Sequence, residues 1–517
     1  TFGTLDLTNS GTITVAGTAV DTTRLTLDNS GTITSTDARA IGGNDLPYAT
    51  ITNRAGATIS GSGTAIRMAS GSLNNAGAII GSVDMLYGGA TYVAQGGTLT
   101  GDLRLNNGAN TLVVYDGVTG VSGTIYADGA NDTYVDARTT NATVTLGNPL
   151  PAAFEREGVR AVGTDTVITL TGTADTLNLS GTGAFVNTVT TAGQTRQFVN
   201  AAGATIETNI SPGTAVDIRQ LAAIDFLNDG TIGNDPDSAA AIFSRTAITA
   251  TNRGTIDGSL DFDVQGSAMA PTAGPVSIAL TNTGRITGAQ YRDQVQMTAF
   301  DGANVGASLT LDNRGSIVSS TSGDTAVYLA TYSSQPSSGM SQAVRTIDVT
   351  NSGTIRANAG GRVDEYYDFF TGQTVSYLRP ATALSLHADT VSVANADGGT
   401  IEATGDLSVA VTTSGALDLT NAGTIRGGAG ATYNGFYYAG AILTRDAADR
   451  ITNTGTIIGS IATGAGDDRV ENYGTLTGDV FLGDGDDTFL HRASATLTGT
   501  VDAGLGTDSL VLDASAG

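Results

Sequence analysis

Three short turns near the C-terminal end of the sequence concentrate residues that could bind a cation. They are GAGDDRV at 464–470, GDGDDTF at 483–489 and GLGTDSL at 504–510, and each fits Gly-x-Gly-x-Asp-x-apolar. If successive turns of the chain stack on one another, their carboxylates crowd along one edge. Carboxylates at such a spacing repel unless they are protonated, well solvated or bridged by a cation such as calcium. The residues concerned are Asp467, Asp468, Asp486, Asp487 and Asp508.

The same turns resemble the core of the RTX calcium-binding nonapeptide, and weak Ca2+ binding is one interpretation of them. We expect no other cofactor. RTX arrays repeat every nine residues with a double glycine, and these turns do not. The turns GANDTY at 129–134 and GTADTL at 172–177 lack the full pattern. They favour a second interpretation, in which Gly and Asp simply make good turns before an apolar strand.

Two insertions concentrate aromatic residues and form a second candidate site. They contain RVDEYYDFFTGQTVSYLRP and ATYNGFYYAG. An exposed aromatic patch is a frequent recognition surface, and rings beside acids and amides suit sugars as well as proteins. The alternative is that the rings fold back and cover the side of the fold. The candidate ligand-binding residues are Tyr366, Tyr367, Phe369, Phe370 and Tyr377 in the first insertion, and Tyr433, Phe436, Tyr437 and Tyr438 in the second.

The sequence offers little for enzymatic chemistry. Its only histidines are His387 and His491, and no Gly-x-Ser-x-Gly turn accompanies either. A Ser-His-Asp triad needs a histidine beside an exposed serine and a buried acid. Paired carboxylates for glycoside hydrolysis are possible in any acidic chain, so a polysaccharide lyase or hydrolase stays an alternative. We predict no catalytic residues.

A repeated phrase surrounds these candidates and must position them. Segments that fit Asn-x-Gly-x-Ile/Leu recur along the chain, and three more, around Asn53, Asn200 and Asn395, are lengthened by two residues. Because only a turn absorbs two extra residues without disturbing the next strand, the glycine marks a turn. Before the Asn, leucines alternate with polar residues, as at Leu25 and Leu27, which predicts a strand with one buried face. The shorter phrases contain Asn9, Asn29, Asn75, Asn228, Asn252, Asn282, Asn313, Asn351, Asn421, Asn453 and Asn472.

The asparagines share the parity of the buried leucines and therefore point inward. A buried amide needs hydrogen-bond partners, and stacked copies of the phrase supply them, since each side chain can bond to its copy in the next turn or to the bent backbone beside it. We therefore predict a structural Asn ladder inside an all-β, single-stranded parallel β-helix, or β-solenoid, with turns of about 20–24 residues. Each turn pairs in parallel with the next at about 4.8 Å.

The solenoid is expected to be one continuous domain over residues 1–517, because each turn packs only on its neighbours. We predict loop excursions at 148–163, 358–380 and 428–440. We call each turn of the coil a rung, and we predict Asp/Gly-rich rungs over 459–517. The sequence does not begin with Met, so we expect it to be part of a longer precursor.

Composition limits the partners. The 24 Lys+Arg and 49 Asp+Glu give a formal net charge of -25, which argues against nucleic acid and anionic membranes. The chain has no Cys, which excludes disulfides and thiolate metal sites. No apolar run approaches the roughly 18 residues of a membrane span, so we do not expect this domain to insert into a membrane.

The repeat style resembles a known family. Segments such as LTNSGTI, ITNTGTIIGSI and NYGTLTGDVFLGDGDDTF, in a Cys-free chain rich in Gly, Thr and Asn, are similar to the passenger domains of autotransporters of Gram-negative bacteria. The resemblance implies a right-handed coil and secretion through a C-terminal outer-membrane β-barrel that would come after Gly517. It also implies a location on the cell surface, attached to the outer membrane or released from it. Resemblance of repeat style informs fold and location better than activity.

The sequence supports three functional hypotheses. The leading one is a non-enzymatic adhesin or structural cell-surface rod, whose partner is a protein or glycan on a host or neighbouring cell. The second is self-association into a fibre or biofilm matrix, because the end rungs of a solenoid invite strand addition. The third is a polysaccharide-active enzyme on the same fold.

Overall fold

The structure is a computed structural model, and its described residues contain strands and turns. None of them forms a helix long and apolar enough to cross a membrane. The description covers the chain except residues 1, 43–45, 130–131, 148–149, 151–153, 164–165, 173–175, 182–183, 188–190, 201, 204, 209–215, 219–220, 235–239, 246, 266–275, 289–292, 302–305, 334–343, 369–372, 429–430, 434–435, 439 and 514–517.

The chain divides into two compact units. The first contains residues 1–189 and 196–199, and the second contains residues 190–195 and 200–517. In each unit, strands from successive repeats pair in parallel to form long sheets, which confirms the predicted all-β parallel solenoid. One continuous domain over residues 1–517 stays a prediction.

In the first unit, the strands that carry the Asn phrase form a sheet that we call the Asn sheet. Its strands, in order of pairing, are Phe2–Asn9, Thr22–Asn29, Tyr48–Asn53, Ser70–Asn75, Ala90–Ala94, Thr111–Tyr115, Thr133–Arg138, Arg156–Ala161 and Thr176–Gly181. A second sheet contains Thr12–Val15, Thr32–Ser35, Thr58–Met68, Ala78–Met85, Thr98–Thr100, Leu103–Leu105 and Ile125–Ala127. A third contains Ala142–Leu146, Val167–Gly172 and Ala184–Asn187.

In the second unit, each turn of the coil contributes one strand to each of three sheets. Its Asn sheet contains Leu221–Asn228, Ala247–Asn252, Val276–Asn282, Ala307–Asn313, Arg345–Asn351, Thr390–Asn395, Ala416–Asn421, Arg450–Asn453, Arg469–Asn472, Thr488–Arg492 and Ser509–Asp513. Thr191–Asn200 is a further strand, and its residues are divided between the two units.

The strand after the Asn-x-Gly corner belongs to a sheet that we call the Thr-Ile sheet. It contains Thr205–Thr208, Thr231–Asn234, Thr255–Asp257, Arg285–Thr287, Ser316–Ser319, Thr354–Ala357, Thr400–Ala403, Thr424–Arg426, Thr456–Ile458, Thr475–Thr477 and Thr496–Thr498. The third sheet contains Val216–Ile218, Ile242–Ser244, Leu260–Gln265, Val295–Asp301, Thr325–Ser333, Ala381–His387, Ser408–Thr413, Ile442–Leu443, Ile461–Ala465, Val480–Asp484 and Val501–Asp502.

The core results from the alternation in the sequence. In the strand Ala307–Asn313, Leu309, Leu311 and Asn313 are buried and Thr310 is exposed. Because neighbouring strands are in register, each buried residue stacks on the equivalent residue of the next rung. Burial of these apolar side chains is the main favourable term, at about 25 cal/mol per Å² removed from water.

One predicted loop proved to contain a strand. Arg156–Ala161, inside the excursion expected at 148–163, pairs in parallel with the strands before and after it. Val159 and Ala161 are fully buried, so the two-residue period is present there. Charged residues around Val159 concealed this period in the sequence.

Close stacking of the rungs, and not an unusual backbone conformation, explains the glycine of the repeated phrase. Gly353 does not have a left-handed φ. A Cβ added to it would lie 2.1 Å from the carbonyl oxygen of Gly315, the equivalent residue of the preceding rung. The corner tolerates no side chain because the two backbones are already in contact.

We therefore expect Gly353→Ala to destabilise the second unit by about 1–3 kcal/mol, the usual cost of overpacking. The matched control is Ser352→Ala, at the adjacent and exposed corner position, where a change within about 0.5 kcal/mol is expected. Urea unfolding of both variants gives the comparison. Equal midpoints would contradict the stacking argument.

Candidate functional site

The asparagines of the repeats form ladders of side-chain hydrogen bonds. In each step the Nδ2 of one Asn donates to the Oδ1 of the Asn in the next rung, at 2.7–2.9 Å. The second amide hydrogen bonds a backbone carbonyl of the next rung, as from Asn313 to Thr354 at 3.1 Å. The ladders contain Asn9, Asn29, Asn53 and Asn75 in the first unit, and Asn200, Asn228, Asn252, Asn282, Asn313, Asn351, Asn395, Asn421, Asn453 and Asn472 in the second.

Each ladder continues into a different residue type at one end. Asn75 donates to the hydroxyl of Tyr92 at 3.3 Å, and burial raises the pKa of Tyr92 to about 12. Asn472 lies 3.2 Å from Nδ1 of His491, which occupies the Asn position of its rung. His491 is thus a structural member of the ladder.

The two aromatic insertions form antiparallel hairpins. Arg362–Asp368 pairs with Gln373–Arg379, and Ala431–Tyr433 pairs with Phe436–Tyr438. Both hairpins connect the Thr-Ile sheet to the third sheet and therefore leave the coil at the same corner. One rung, with the short corner 404–407, separates them.

Glycines at this corner bring the bases of the hairpins together. A Cβ on Gly405 would lie 2.8 Å from the Cα of Gly360, and a Cβ on Gly428 would lie 2.1 Å from the carbonyl oxygen of Gly405. The N–H of Gly361 also donates to the carbonyl of Asp406 at 2.9 Å. The sequence did not indicate that the two insertions leave one corner on rungs separated by a single rung, because that depends on the register of the whole coil.

The predicted ligand-binding residues are distributed over these hairpins. The backbones of Tyr366 and Tyr367 lie on the first strand of the first hairpin, and Tyr377 lies on its second strand. Phe369 and Phe370 lie outside the described residues. The backbones of the remaining four, Tyr433, Phe436, Tyr437 and Tyr438, lie on the second hairpin. Recognition by these rings stays a prediction.

The Asp-rich turns form two columns of carboxylates in the second unit. In the inner column, Oδ1 of Asp468 accepts a hydrogen bond from the N–H of Asp449, and Oδ1 of Asp487 accepts one from the N–H of Asp468, both at 2.8 Å. Asp508 continues the column at 3.1 Å. In the outer, exposed column, Oδ1 of Asp467 accepts from the N–H of Asp486 at 2.9 Å.

The inner column contains buried carboxyl oxygens. Oδ2 of Asp449, Asp468 and Asp487 is buried, and the hydroxyl groups of Thr444 and Thr463, which lie beside the first two, donate to backbone carbonyls instead. Burial raises the pKa of all three carboxyl groups, with smaller contributions from the neighbouring acids, and the pKa of Asp449 rises to about 6. Protonation removes the cost of this arrangement, since a neutral carboxyl group needs no counter-ion.

A related turn in the first unit has the same geometry with an amide. Oδ1 of Asn110 accepts from the N–H of Ala90 at 3.2 Å, and Oδ1 of Asp132 accepts from the N–H of Asn110 at 2.7 Å. Because Asn and Asp occupy equivalent positions, the corner requires a side-chain acceptor and not a charge. Among the described residues, no three acidic or histidine side chains are grouped so that they could hold a metal ion. Calcium binding at the C-terminal turns stays a prediction.

A cluster around His387 was not predicted from the sequence. Its Nε2 lies 3.0 Å from Oγ of Ser385, and its Nδ1 lies 3.0 Å from Oγ of Ser414. Burial lowers the pKa of His387, and the positive charge of Arg445 lowers it further, so the imidazole is neutral at pH 7. The second partner of the ring is a serine where a Ser-His-Asp triad has an acid, and we assign no catalytic role to it.

Exposed aromatic rings accompany this cluster on the outer face of the third sheet. The ring of Tyr328 lies 5.4 Å from that of His387, and its hydroxyl is 2.6 Å from the hydroxyl of Tyr332. Tyr332 pairs with Phe300 of the neighbouring strand, and both are exposed. The two-residue period of the strand indicates that these rings are exposed, because Tyr328 and Tyr332 lie an odd number of residues from the buried Leu329.

Comparison of the chain with protein-family models, with curated proteins and with solved structures returned no match.

Proposed function

We propose that this protein is a non-enzymatic, surface-exposed passenger of an autotransporter and that it acts as an adhesin. The observation that carries the proposal is the position of the two aromatic hairpins, which leave one corner of the second unit on nearby rungs. A corner that gathers its insertions in one place presents a larger surface than either insertion alone. Binding loops held by a rigid scaffold are a common arrangement for recognition.

The physical basis for this role is the rigidity of the rungs beneath the hairpins. The ladder fixes the Asn-x-Gly corner of the rungs that carry the hairpins and of the rung between them, at Asn351, Asn395 and Asn421, whereas the corner that carries the hairpins varies in length. Insertions at that corner leave the core unchanged, because the strands on both sides keep their register. The proposed partner is a protein or glycan on a host or neighbouring cell.

Both hairpins can be removed by replacing them with short corners that connect the same two sheets in other rungs of this chain. Residues 358–380 can be replaced by the short corner 404–407 of the next rung, and residues 427–441 by the two-residue corner 459–460. We expect the double replacement to reduce binding of the labelled protein to cultured epithelial cells at least tenfold. The fold should persist, as measured by circular dichroism and thermal unfolding.

Two controls distinguish a loss of the binding surface from other causes of reduced cell binding. Ser352→Ala, at the opposite corner of the coil, should leave cell binding unchanged. Sedimentation velocity of both hairpin-free and unaltered protein tests the alternative of self-association. Cell binding that survives removal of both hairpins would refute the proposal, and concentration-dependent polymers would favour the fibre hypothesis.

A further inference from the structure

A groove of about 320 Å³, whose wall is more apolar than polar, lies on the outer face of the Asn sheet in the second unit. It crosses four consecutive rungs, whose strands are Arg345–Asn351, Thr390–Asn395, Ala416–Asn421 and Arg450–Asn453. Small residues such as Ala416 and Ala448 leave the space open. Its polar lining consists of Thr346, Asp348, Thr390, Ser392, Asp418 and Arg450.

The register of the strands arranges these groups in a row. Asp348, Ser392, Asp418 and Arg450 are direct neighbours on successive rungs. Parallel rungs are about 4.8 Å apart, so the backbones of the two aspartates are separated by roughly 10 Å with the serine between them. The groove therefore presents acceptor, hydroxyl, acceptor and donor along one line.

The charge of the lining selects the class of ligand. Two carboxylates and one guanidinium give a negative balance, and the carboxylate of Glu471 lies 3.8 Å from Arg450. An anionic ligand would meet repulsion from these groups and from the net charge of -25. A neutral polyhydroxyl ligand fits, because each of its hydroxyl groups can donate to a carboxylate and accept from Arg450 or a side-chain hydroxyl.

We infer that this groove binds one or two pyranose rings of a neutral glycan, with Asp348 and Asp418 accepting hydrogen bonds from sugar hydroxyls. The volume lies within the range of small-molecule sites. The spacing of the rungs lets a linear glycan lie across them, with successive polar side chains facing successive hydroxyl groups. The site is on the Asn sheet, it is separate from the hairpins, and it does not depend on the proposed adhesive function.

Titration calorimetry tests the inference with four oligosaccharides, namely maltohexaose, cellohexaose, mannohexaose and the acidic hexagalacturonate. We expect at least one neutral oligosaccharide to bind and Asp348→Ala or Asp418→Ala to weaken it at least tenfold. The matched control is Asp225→Ala, because Asp225 is exposed and has the same position, three residues before a ladder Asn, on a rung outside the groove. Affinity in this control should be unchanged.

Three results would overturn the inference. They are the absence of binding to every neutral oligosaccharide at millimolar concentration, equal affinity in Asp348→Ala and Asp225→Ala, and preferential binding of hexagalacturonate. Thermal unfolding establishes that each variant is folded. The hairpin-free protein should retain oligosaccharide affinity, so loss of cell binding and loss of glycan binding can be distinguished.

Discussion

Replacing Asn313 with leucine should destabilise the second unit by about 3 kcal/mol or more, although the side chains are similar in size. Asn313 donates to Oδ1 of Asn351 at 2.7 Å and to the carbonyl of Thr354, and its own Oδ1 accepts from Asn282 at 2.8 Å. Leucine removes all three bonds and leaves the partners buried. Each unsatisfied buried polar group costs about 1–3 kcal/mol, so the losses exceed the gain from a more apolar side chain.

Urea unfolding followed by circular dichroism measures this effect. The control is Thr310→Ala on the same strand, where the side chain is exposed and a change within about 0.5 kcal/mol is expected. Because each rung contacts only its neighbours, hydrogen exchange should accelerate most in the rungs on either side of Asn313. A midpoint equal to that of Thr310→Ala would show that the ladder does not stabilise the coil.

The sequence was sufficient to predict this ladder because two simple rules determine it. Strand periodicity placed Asn313 on the same side as Leu309 and Leu311, and a buried amide must be paired. Repetition then left the equivalent Asn as the nearest partner. The same reasoning predicted the sheets, since the alternation of Leu and polar residues specifies which face is buried.

Other features depended on information that no single repeat contains. His491 joins its ladder because it pairs with Asn472, whereas Tyr92 pairs with Leu73 and reaches Asn75 only through its hydroxyl group. Variable insertions shift the sequence distance between stacked residues, so the pairs cannot be found by a fixed spacing. The groove was unpredictable for the same reason, because one hairpin separates Asp348 from Ser392 in the sequence and the other separates Asp418 from Arg450.

The Asp-rich turns show a third limit, which concerns protonation. The sequence indicated that carboxylates would be close but left open whether protons, water or a cation would compensate their charge. Which oxygen is buried depends on a backbone bond, such as that from the N–H of Leu417 to Oδ1 of Asp449 at 2.8 Å. Only the folded corner buries the second oxygen of Asp449 beside a threonine hydroxyl that donates to a backbone carbonyl.

Asp449→Asn should stabilise the protein at pH 7 and leave its stability at pH 4 nearly unchanged. The folded state raises the pKa of Asp449 from 3.8 to about 6, so it binds a proton more tightly than the unfolded chain does. Its contribution to stability is therefore fully present below pH 4 and is lost as the pH rises to about 6. The amide mimics the neutral acid, as Asn110 does in the first unit, and avoids this loss of about 3 kcal/mol.

Thermal unfolding between pH 3.5 and 8, in the presence of a chelator, tests this expectation. The melting temperature of the unaltered protein should fall between pH 4 and 6, and Asp449→Asn should reduce that fall. Asp467→Asn, in the exposed outer column of the adjacent turn, serves as the control and should keep the slope. A second series, with calcium in place of the chelator, gives the opposite result if calcium bridges the carboxylates. Calcium would then raise the melting temperature at pH 7, and Asp449→Asn would lower it. The sign of the change at pH 7 therefore separates a column of protonated acids from a calcium site.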